Sequence, residues 1–475
     1  MRILLTGANG YVGRRLLPEL IAQGHEIVCC VRDKNRLGFS LHDATNISVW
    51  EVDFLTKPTF ENIPKNIDAA YYLIHSMSSS TTAFDAMESK TATHFNEYML
   101  QIQPKHVIYL SGIVNHSQLS KHLKSRKNVE TILYQGNSPV TVLRAGIIVG
   151  SGSSSFEIIR DLCEKLPLMI TPKWVLTKTQ PIAIRNVIQY LIGVLFQEKC
   201  YNQSYDIAGP DILSYKEMLQ QYAKARGFKN WILTVPVITP KLSSYWLYFV
   251  TSTSYKLAMN LVDSMKIEVI ARKNNLQELL QITPITYEEA ISLAFLKIEQ
   301  NLVISSWKDS LISGRFCRNL SELIQVPTYG CLTDHQTMPI QNIEKTLDNI
   351  WSIGGNRGWY YGNWMWKVRG FLDKMVGGVG LRRGRTHPTH LDNGDVLDFW
   401  RVVLADRNKK RLLLFAEMRL PGEAWLEFRI DEQNNLHQIA TFRPKGWFGR
   451  LYWYTLIPFH YFIFGGMIRN VTKTE

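Results

Sequence analysis

The chain of 475 residues is long enough for two or three domains, each with its own core. Hydrophobic residues make up 45% and charged residues 20% of the sequence, which is typical of a soluble globular protein. The net charge of +13 would suit a polyanion, but the sequence has no zinc finger, RNA-binding sheet motif or Lys/Arg tail. We therefore expect no nucleic-acid partner, and a basic surface that serves a phosphorylated cofactor, solubility or light membrane contact.

The six cysteines show neither a CxxC pair nor metal-like spacing, and Cys29 and Cys30 fall in a predicted buried strand. We expect reduced thiols, a cytoplasmic location and no metal site. Met1 leads directly into the first strand, so we expect no signal peptide.

The opening stretch, MRILLTGANGYVG, predicts a short buried strand, a glycine-rich turn and the start of a helix. Gly7, Gly10 and Gly13 suit three steric tasks: a tight turn, close backbone approach to a pyrophosphate, and close packing of helix on strand. The start of the helix would present backbone N–H groups and a partial positive charge to phosphates. This arrangement predicts a dinucleotide site rather than a merely structural turn.

The next two predicted strands bear on which dinucleotide would bind. The strand EIVCCVR ends in Arg32, whose charge suits the 2′-phosphate of NADP, whereas an acid at this place favours NAD. Asp33 follows and keeps NAD(H) open, and Arg32 could also be an ordinary solvated charge. We favour NADP(H). A strand near Ile47–Val52 ends at Asp53, which would lie close to the adenine.

Strands and helices continue to alternate after this point. The run Ala69–Met77 predicts a fourth strand and a loop beside the cofactor, with His75 in the loop as a packing, hydrogen-bonding or cofactor-contacting residue. A helix over Phe84–Gln101 and a strand over His106–Gly112 follow, and Ser111 lies at the end of that strand. The alternation predicts a doubly wound parallel sheet, which binds ligands at the carboxyl ends of its strands.

The segments TGANGYVG, IYLSG and LRAGIIVG, with Arg32 and Asp53, resemble the short-chain dehydrogenase/reductase superfamily, and more narrowly its atypical, NmrA-like members. The resemblance extends over residues 1–300. It implies a Rossmann-like NAD(P)-binding domain with a small helical substrate lobe over residues 210–300. It also implies that the polar loop Ser151–Phe156 borders the substrate, where the alternative is a plain Ser/Gly linker.

The sequence departs from this superfamily at the catalytic motif. Ordinary members carry Tyr-x-x-x-Lys after the serine, whereas the stretch LSKHLKSRKNVE places His122 and Arg126 at that spacing. The resemblance implies that Arg126 holds the ribose hydroxyls, as the lysine does. His122 could act as a general acid, although Arg126 beside it would disfavour its protonation. Tyr109 and Tyr134 are nearby in sequence but not at the required spacing.

The predicted site residues fall on the glycine-rich turn and on the carboxyl ends of the strands. The catalytic candidates are Ser111, His122 and Arg126. The expected cofactor contacts are Gly7, Asn9, Gly10, Tyr11, Val12, Gly13, Arg32, Asp53, His75, Ser111 and Arg126.

The chain from Trp231 to Gln300 predicts a helical lobe, in which the cluster Tyr245–Val250 is a core helix. We expect residues 301–325 to be a connector. From residue 326 to 475 the pattern changes to a strand, helical segments, a run of strands and a final apolar segment. This order resembles the helix-grip fold of the START and pollen-allergen-like superfamily, an α+β fold that encloses an apolar ligand.

A closer resemblance links LRRGR, GDVLDFWRV, LLFAEMRLPGEAWLEF and FRPKGWFGRLYWY to an uncharacterised domain often fused behind NmrA-like reductases. The high aromatic content suits either a ligand cavity or a well-packed core. Residues 451–468 predict a helix packed on its own sheet, with no transmembrane span and with peripheral membrane contact as the alternative. Arg382, Arg383 and Arg385 would bind an anion or form a solvated turn.

Three functions follow from these features. The first is an NADP(H)-dependent oxidoreductase acting on a small carbonyl or quinone-like compound, with an apolar ligand in the second domain. The second is a non-catalytic NADP(H)-binding sensor or assembly factor, which the absence of Tyr-x-x-x-Lys favours. The third is a lipid- or isoprenoid-binding module in which the nucleotide fold is a scaffold.

Overall fold

The protein divides into two compact units, Met1–Gly314 and Arg315–Glu475. The structure, a computed structural model, describes residues 1–32, 46–57, 63–75, 84–114, 121–235, 262, 264–299, 326, 331–381, 385, 387, 389–444 and 446–473.

The first unit contains strands and helices that alternate along the chain. Its strands are β1 (Arg2–Thr6), β2 (Glu26–Val31), β3 (Ile47–Glu51), β4 (Ala69–Tyr72), β5 (His106–Gly112), β6 (Val140–Ala145), β7 (Ile148–Val149), β8 (Leu168–Pro172), β9 (Lys178–Thr179), β10 (Ile182–Ala183), β11 (Gln203–Ile207), β12 (Leu213–Ser214) and β13 (Trp231–Val235). Its helices are α1 (Gly13–Ala22), α2 (Phe84–Ile102), α3 (Lys121–Leu133), α4 (Ser154–Lys165), α5 (Ile184–Gly193), α6 (Tyr215–Ala225), α7 (Leu276–Leu280) and α8 (Tyr287–Glu299).

Seven parallel strands form the main sheet in the order β11-β6-β5-β4-β1-β2-β3. Successive side chains of β1 point to opposite faces, with Ile3 and Leu5 in one core and Leu4 in the other. Helices α1 and α5 cover the first face, and α2 and α3 cover the second. Both faces are therefore buried, and the predicted doubly wound parallel sheet is confirmed.

The strand order reverses beside β1, because β2 lies on one side of it and β4 on the other. Connections that leave this point go to opposite faces of the sheet and open a crevice at the carboxyl ends of the strands. The glycine-rich turn follows β1 at that edge. The fold thus places the predicted phosphate-binding turn at the position where such sheets bind ligands.

A third core of the first unit is built by α4, α6 and α8. The prediction of a helical chain from Trp231 onward is wrong at its start, because Trp231–Val235 is the strand β13, paired in parallel with β8. Exposed Trp231 and Leu233 alternate with half-buried Ile232, and this period of two is typical of a strand. The predicted core helix Tyr245–Val250 and the connector 301–325 lie outside the described residues.

The second unit is an antiparallel sheet with three described helices. Its strands are β14 (Leu332–Pro339), β15 (Val396–Leu397), β16 (Trp400–Asp406), β17 (Arg411–Ala416), β18 (Gly422–Ile430) and β19 (Asn435–Pro444), and its described helices are α9 (Ile343–Trp351), α10 (Asn363–Met375) and α11 (Gly446–Val471). The strand order is β14-β19-β18-β17-β16-β15, and every pairing is antiparallel. The predicted α+β class of this unit is confirmed, and its START-like assignment stays a prediction.

Helix α11 packs across β19 and β14, as the sequence predicts for residues 451–468. Aromatic rings fill the core of the unit. Trp359 lies at its centre, with ring centroids at 5.1 Å from Trp366, 6.3 Å from Phe399 and 6.1 Å from Trp400. These rings are well-packed core, and an apolar ligand of this unit stays a prediction.

Candidate functional site

The glycine-rich turn owes its shape to two of its glycines. Gly7 has φ +65°, a left-handed conformation that side chains disfavour, and a Cβ on it would lie 2.8 Å from the carbonyl oxygen of Leu73. A Cβ on Gly13 would collide with the carbonyl oxygen of Gly7. At Gly10 a Cβ would meet only that same oxygen, at 3.1 Å, among the described atoms. The side of Gly10 is thus nearly open, as close approach of a diphosphate requires.

Tyr11 and Arg15 tie this turn to the polar loop after β7. The Arg15 guanidinium lies 4.1 Å from the centre of the Tyr11 ring and donates to the carbonyl oxygens of Tyr11 at 3.1 Å and Ser151 at 2.7 Å. Burial raises the pKa of Tyr11 to about 12, while Arg15 and Ser153 act to lower it. The Tyr11 side chain therefore helps to hold the glycine-rich turn against the polar loop after β7. Only the backbone of Tyr11 is suited to contact a phosphate.

The remaining residues of the turn lie where the sequence places them. Asn9 is half-buried within the turn, and Val12 packs its side chain against the core beneath α1. Val12 is the residue before α1, and its side chain makes no capping hydrogen bond to the first backbone amides of the helix. The start of α1 lies at the carboxyl ends of the strands, where we expect the phosphates to bind.

Arg32 and Asp53 follow neighbouring strands at the same edge. The Val52 amide donates to the Val31 carbonyl oxygen at 2.9 Å, so the ends of β2 and β3 are adjacent. Arg32 is exposed, and Asp53 accepts a hydrogen bond from the Leu55 amide at 3.0 Å. The structure therefore brings these two predicted residues close together.

Arg126 lies beside the end of β5, where the sequence predicts a ribose contact. Its Nη1 donates to the Leu110 carbonyl oxygen at 2.9 Å, and its own carbonyl oxygen accepts from the Tyr109 hydroxyl at 3.4 Å. Burial acts to lower the pKa of Arg126, but Tyr109 and Glu88 together hold it above its ordinary value. The guanidinium is therefore a permanent positive charge at this edge of the sheet.

Two buried polar atoms of this cluster have unused hydrogen-bonding capacity. Arg126 Nε and Ser111 Oγ have no partner of normal geometry among the described residues. Burial raises the pKa of Tyr109, which Arg126 and the nearby Ser111 act to lower. A buried donor and a buried hydroxyl beside Tyr109, at the end of one strand, fit the hydroxyl groups of a bound ribose.

His75 joins the same cluster through a buried carboxylate. Its Nδ1 lies 3.0 Å from Oε1 of Glu88, and Ser125 Oγ donates to Oε2 of Glu88 at 3.5 Å. Burial and then Arg126 lower the pKa of His75, against the opposing effect of Glu88. The imidazole is therefore oriented by Glu88. The backbone of His122 lies on α3, one turn before Arg126, and its side chain lies outside the described residues.

Three residues that organise this site are not predicted from the sequence: Arg15 and Glu88 are not singled out, and Tyr109 is set aside because it does not have the spacing of Tyr-x-x-x-Lys. Arg15 stands among apolar positions of α1, four residues after Tyr11, and this spacing could have indicated the contact. Glu88 and Tyr109 carry no such signal, because their partners come from other elements of the fold.

Two family models match separate parts of the chain. A model described as NAD(P)H-binding matches residues 7–161, which include the glycine-rich turn and Arg126. Residues 7–161 are thus similar to NAD(P)H-binding domains. A model described as a protein of unknown function, DUF2867, matches residues 331–467. No curated protein matches the chain.

The chain is similar in structure to solved epimerases. A nucleoside-diphosphate-sugar epimerase from Staphylococcus aureus has a TM-score of 0.50 and 16% identity, with 62% of this chain and 100% of that chain covered. A UDP-glucuronic acid 4-epimerase from Bacillus cereus in complex with NAD has a TM-score of 0.48 and 16% identity, covering 63% and 97%. The first likeness shows a shared fold.

The second unit offers less for a polar ligand. The Arg385 guanidinium donates to the carbonyl oxygens of Ile353 at 2.6 Å and Trp351 at 2.7 Å, so it is part of the internal hydrogen bonding. Arg382 and Arg383 lie outside the described residues.

Within the described ranges, no group of three His, Cys, Asp or Glu side chains could hold a metal. Among those same residues, no helix is long and apolar enough to cross a bilayer.

Proposed function

We propose that the protein is an NADP(H)-dependent oxidoreductase that acts on a small carbonyl or quinone-like compound. The observation that carries this proposal is the position of Arg126 and Ser111. Their buried polar atoms lie at the end of β5, on the edge of the sheet where the glycine-rich turn follows β1. A dinucleotide lying along this edge would have its diphosphate at the glycine-rich turn and its nicotinamide ribose at the end of β5.

Each predicted residue then has a role in binding. The backbone of the turn from Gly7 to Gly13 and the start of α1 would hold the diphosphate. Arg32, exposed at the end of β2, would bind the 2′-phosphate, and Asp53 would lie near the adenine. Arg126 and Ser111 would hold the nicotinamide ribose.

The chemistry would combine a hydride with a nearby positive charge. The hydride would come from NADPH when it is bound. The charge of Arg126 would stabilise the oxyanion that develops when a carbonyl is reduced. Burial raises the pKa of Tyr109 and keeps its hydroxyl neutral, two residues before Ser111 on β5. His122 is the proposed proton donor, because it occupies the place of the tyrosine in Tyr-x-x-x-Lys.

A second function, a non-catalytic NADP(H) sensor, is favoured by one observation. Tyr109, the tyrosine that contacts Arg126, is only 1% exposed and so is out of reach of a substrate. In this alternative the cofactor would control the affinity for a partner protein, and its redox state would be the signal.

Calorimetric titration with NADPH, NADP⁺, NADH and NAD⁺ tests cofactor binding. NADPH oxidation with a panel of quinones and aldehydes then tests catalysis. We expect tight NADPH binding and turnover with at least one compound. Tight binding without any turnover would contradict the oxidoreductase and support the sensor, whereas failure to bind any of the four dinucleotides would contradict both.

A further inference from the structure

Helices α10 and α11 lie side by side in the second unit and run antiparallel. Near one end, a Cβ on Gly362 would lie 3.9 Å from Cγ1 of Ile463. Near the other, the Arg369 guanidinium donates to the Tyr452 hydroxyl and lies 5.4 Å from the centre of its ring. The two helices therefore contact each other at two places along α10.

The inner sides of both helices are buried in the core, through residues such as Trp366 of α10 and Phe464 and Met467 of α11. Their outer sides are apolar as well, which is unusual for a surface helix. We name this outer surface the α10–α11 face. It includes Trp364, Val368, Phe371, Tyr454, Ile457 and Tyr461.

The exposure of these side chains is large. Trp364 is 67% exposed, Phe371 60% and Tyr461 71%. The spacing Trp364, Val368, Phe371 follows one side of a helix, as does the spacing Tyr454, Ile457, Tyr461. The exposed apolar side chains thus form one row along each helix.

The charges on these rows have one sign. Exposed Lys367 lies between Trp364 and Phe371, and exposed Arg450 lies one turn before Tyr454. The only carboxylate of α10, Asp373, is buried, where it accepts hydrogen bonds from the amides of Arg419 at 2.7 Å and Gly380 at 2.8 Å. The sequence of α11 contains no Asp or Glu over 26 residues.

Aromatic side chains beside lysine and arginine, without exposed carboxylates, match the chemistry of a bilayer surface that carries anionic lipids. We propose that the α10–α11 face docks on such a surface and lies in its plane. Tyr and Trp would enter the headgroup region, and Lys367 and Arg450 would contact lipid phosphates. This function is independent of the proposed NADP(H) chemistry.

Flotation of the full-length chain with vesicles tests the proposal. One set of vesicles is phosphatidylcholine alone, and the other contains about one third phosphatidylglycerol. We expect flotation with the anionic vesicles and at least severalfold less with the neutral ones. About 1 M salt should weaken the binding, because it screens charges beyond about 3 Å.

Two sets of variants separate the contributions. Replacing Phe371→Asp and Tyr461→Asp together should lower the partition coefficient by at least about tenfold, because two aromatic side chains would no longer be buried in the bilayer. The control Ile212→Asp, at a 48% exposed apolar residue of the first unit, should leave flotation unchanged. Lys367→Glu with Arg450→Glu should reduce only the preference for anionic vesicles. The replaced side chains are all exposed, so thermal unfolding of every variant should match the wild type.

Three results would overturn the proposal. The first is no flotation with either set of vesicles, and the second is equal flotation of the wild type and the aromatic double variant. The third is a wild-type oligomer that the double variant converts to a monomer without any vesicle binding, as measured by light scattering, which would make the face a contact between copies of the chain.

Discussion

Arg126 Nη1 donates to the carbonyl oxygen of Leu110 at 2.9 Å, and this bond fixes helix α3 against the carboxyl end of β5. The bond uses one side of the guanidinium and leaves Nε without a partner among the described atoms. The arginine is therefore already oriented before any ligand arrives. Such preorganisation lowers the entropic cost of binding.

Replacing Arg126 should weaken NADPH binding. Loss of a charged donor costs about 1.5–3 kcal/mol, so we expect Arg126→Ala to raise the dissociation constant by roughly ten- to a hundredfold. Arg126→Lys, which keeps the charge, should lose less. The control is Lys127→Ala, at the exposed neighbour on the same helix. Calorimetry on the three variants checks the prediction, and an unchanged affinity of Arg126→Ala would remove Arg126 from the site.

Arg32 should decide between the two dinucleotides. Since the 2′-phosphate is present only in NADPH, Arg32→Ala should lower the affinity for NADPH by roughly tenfold or more and leave that for NADH unchanged. The matched control is Lys105→Ala. Lys105 directly precedes β5, at the amino ends of the strands and so away from the expected site, and it pairs with Asp68 at 3.1 Å. Equal losses for both dinucleotides would contradict a 2′-phosphate contact.

The parts of this site that the sequence could predict are those that depend on local rules. Gly7 and Gly13 indicate their turn because a side chain at either position would be strained or would collide. Arg32 and Asp53 are predicted because parallel strands end at a common edge. The bond from Arg15 to Ser151 joins residues 136 apart in the chain. No local pattern specifies it, since it depends on where β7 lies in the finished fold.

The helices α10 and α11 show the same difference between features that the sequence predicts and features that depend on the finished fold. The apolar run over residues 451–468, interrupted by polar residues, predicts a helix that packs on the sheet, and α11 does so. Periodicity could not show that the outer rows of α10 and α11 also stay apolar, because that depends on which side of each helix meets the sheet. The strand β13 is not predicted because an apolar run of only five residues does not distinguish a strand from a helix.

Burial of His106 predicts loss of stability in acid. Its Nδ1 accepts from the Phe196 amide at 3.2 Å, so Nε2 carries the proton and donates to Thr141 Oγ1 at 2.8 Å. Burial lowers the pKa of His106 from 6.5 to about 4. The unfolded chain therefore takes up this proton at a higher pH than the folded chain, and stability is lost as the pH falls from 6.5 toward 4.

From about pH 8 to about pH 5, this one group should lower the free energy of unfolding by about 2 kcal/mol. Urea denaturation at both pH values, on the wild type and on His106→Gln, measures the contribution. The variant should be less stable at the higher pH and should show a pH dependence that is smaller by that amount. Parallel pH profiles for the two proteins would show that His106 does not titrate differently on folding.

Two adjacent glycines of α11 should respond to alanine in opposite directions. A Cβ on Gly465 would meet nothing within 4 Å, whereas a Cβ on Gly466 would collide with the Tyr361 ring. Gly465→Ala should raise the free energy of unfolding by about 0.5–1 kcal/mol, because alanine is the better helix former. Gly466→Ala should lower it by about 1–3 kcal/mol, because the ring must move. Each variant is the control for the other in urea denaturation, and equal shifts would mean that α11 does not approach Tyr361 as closely as the structure shows.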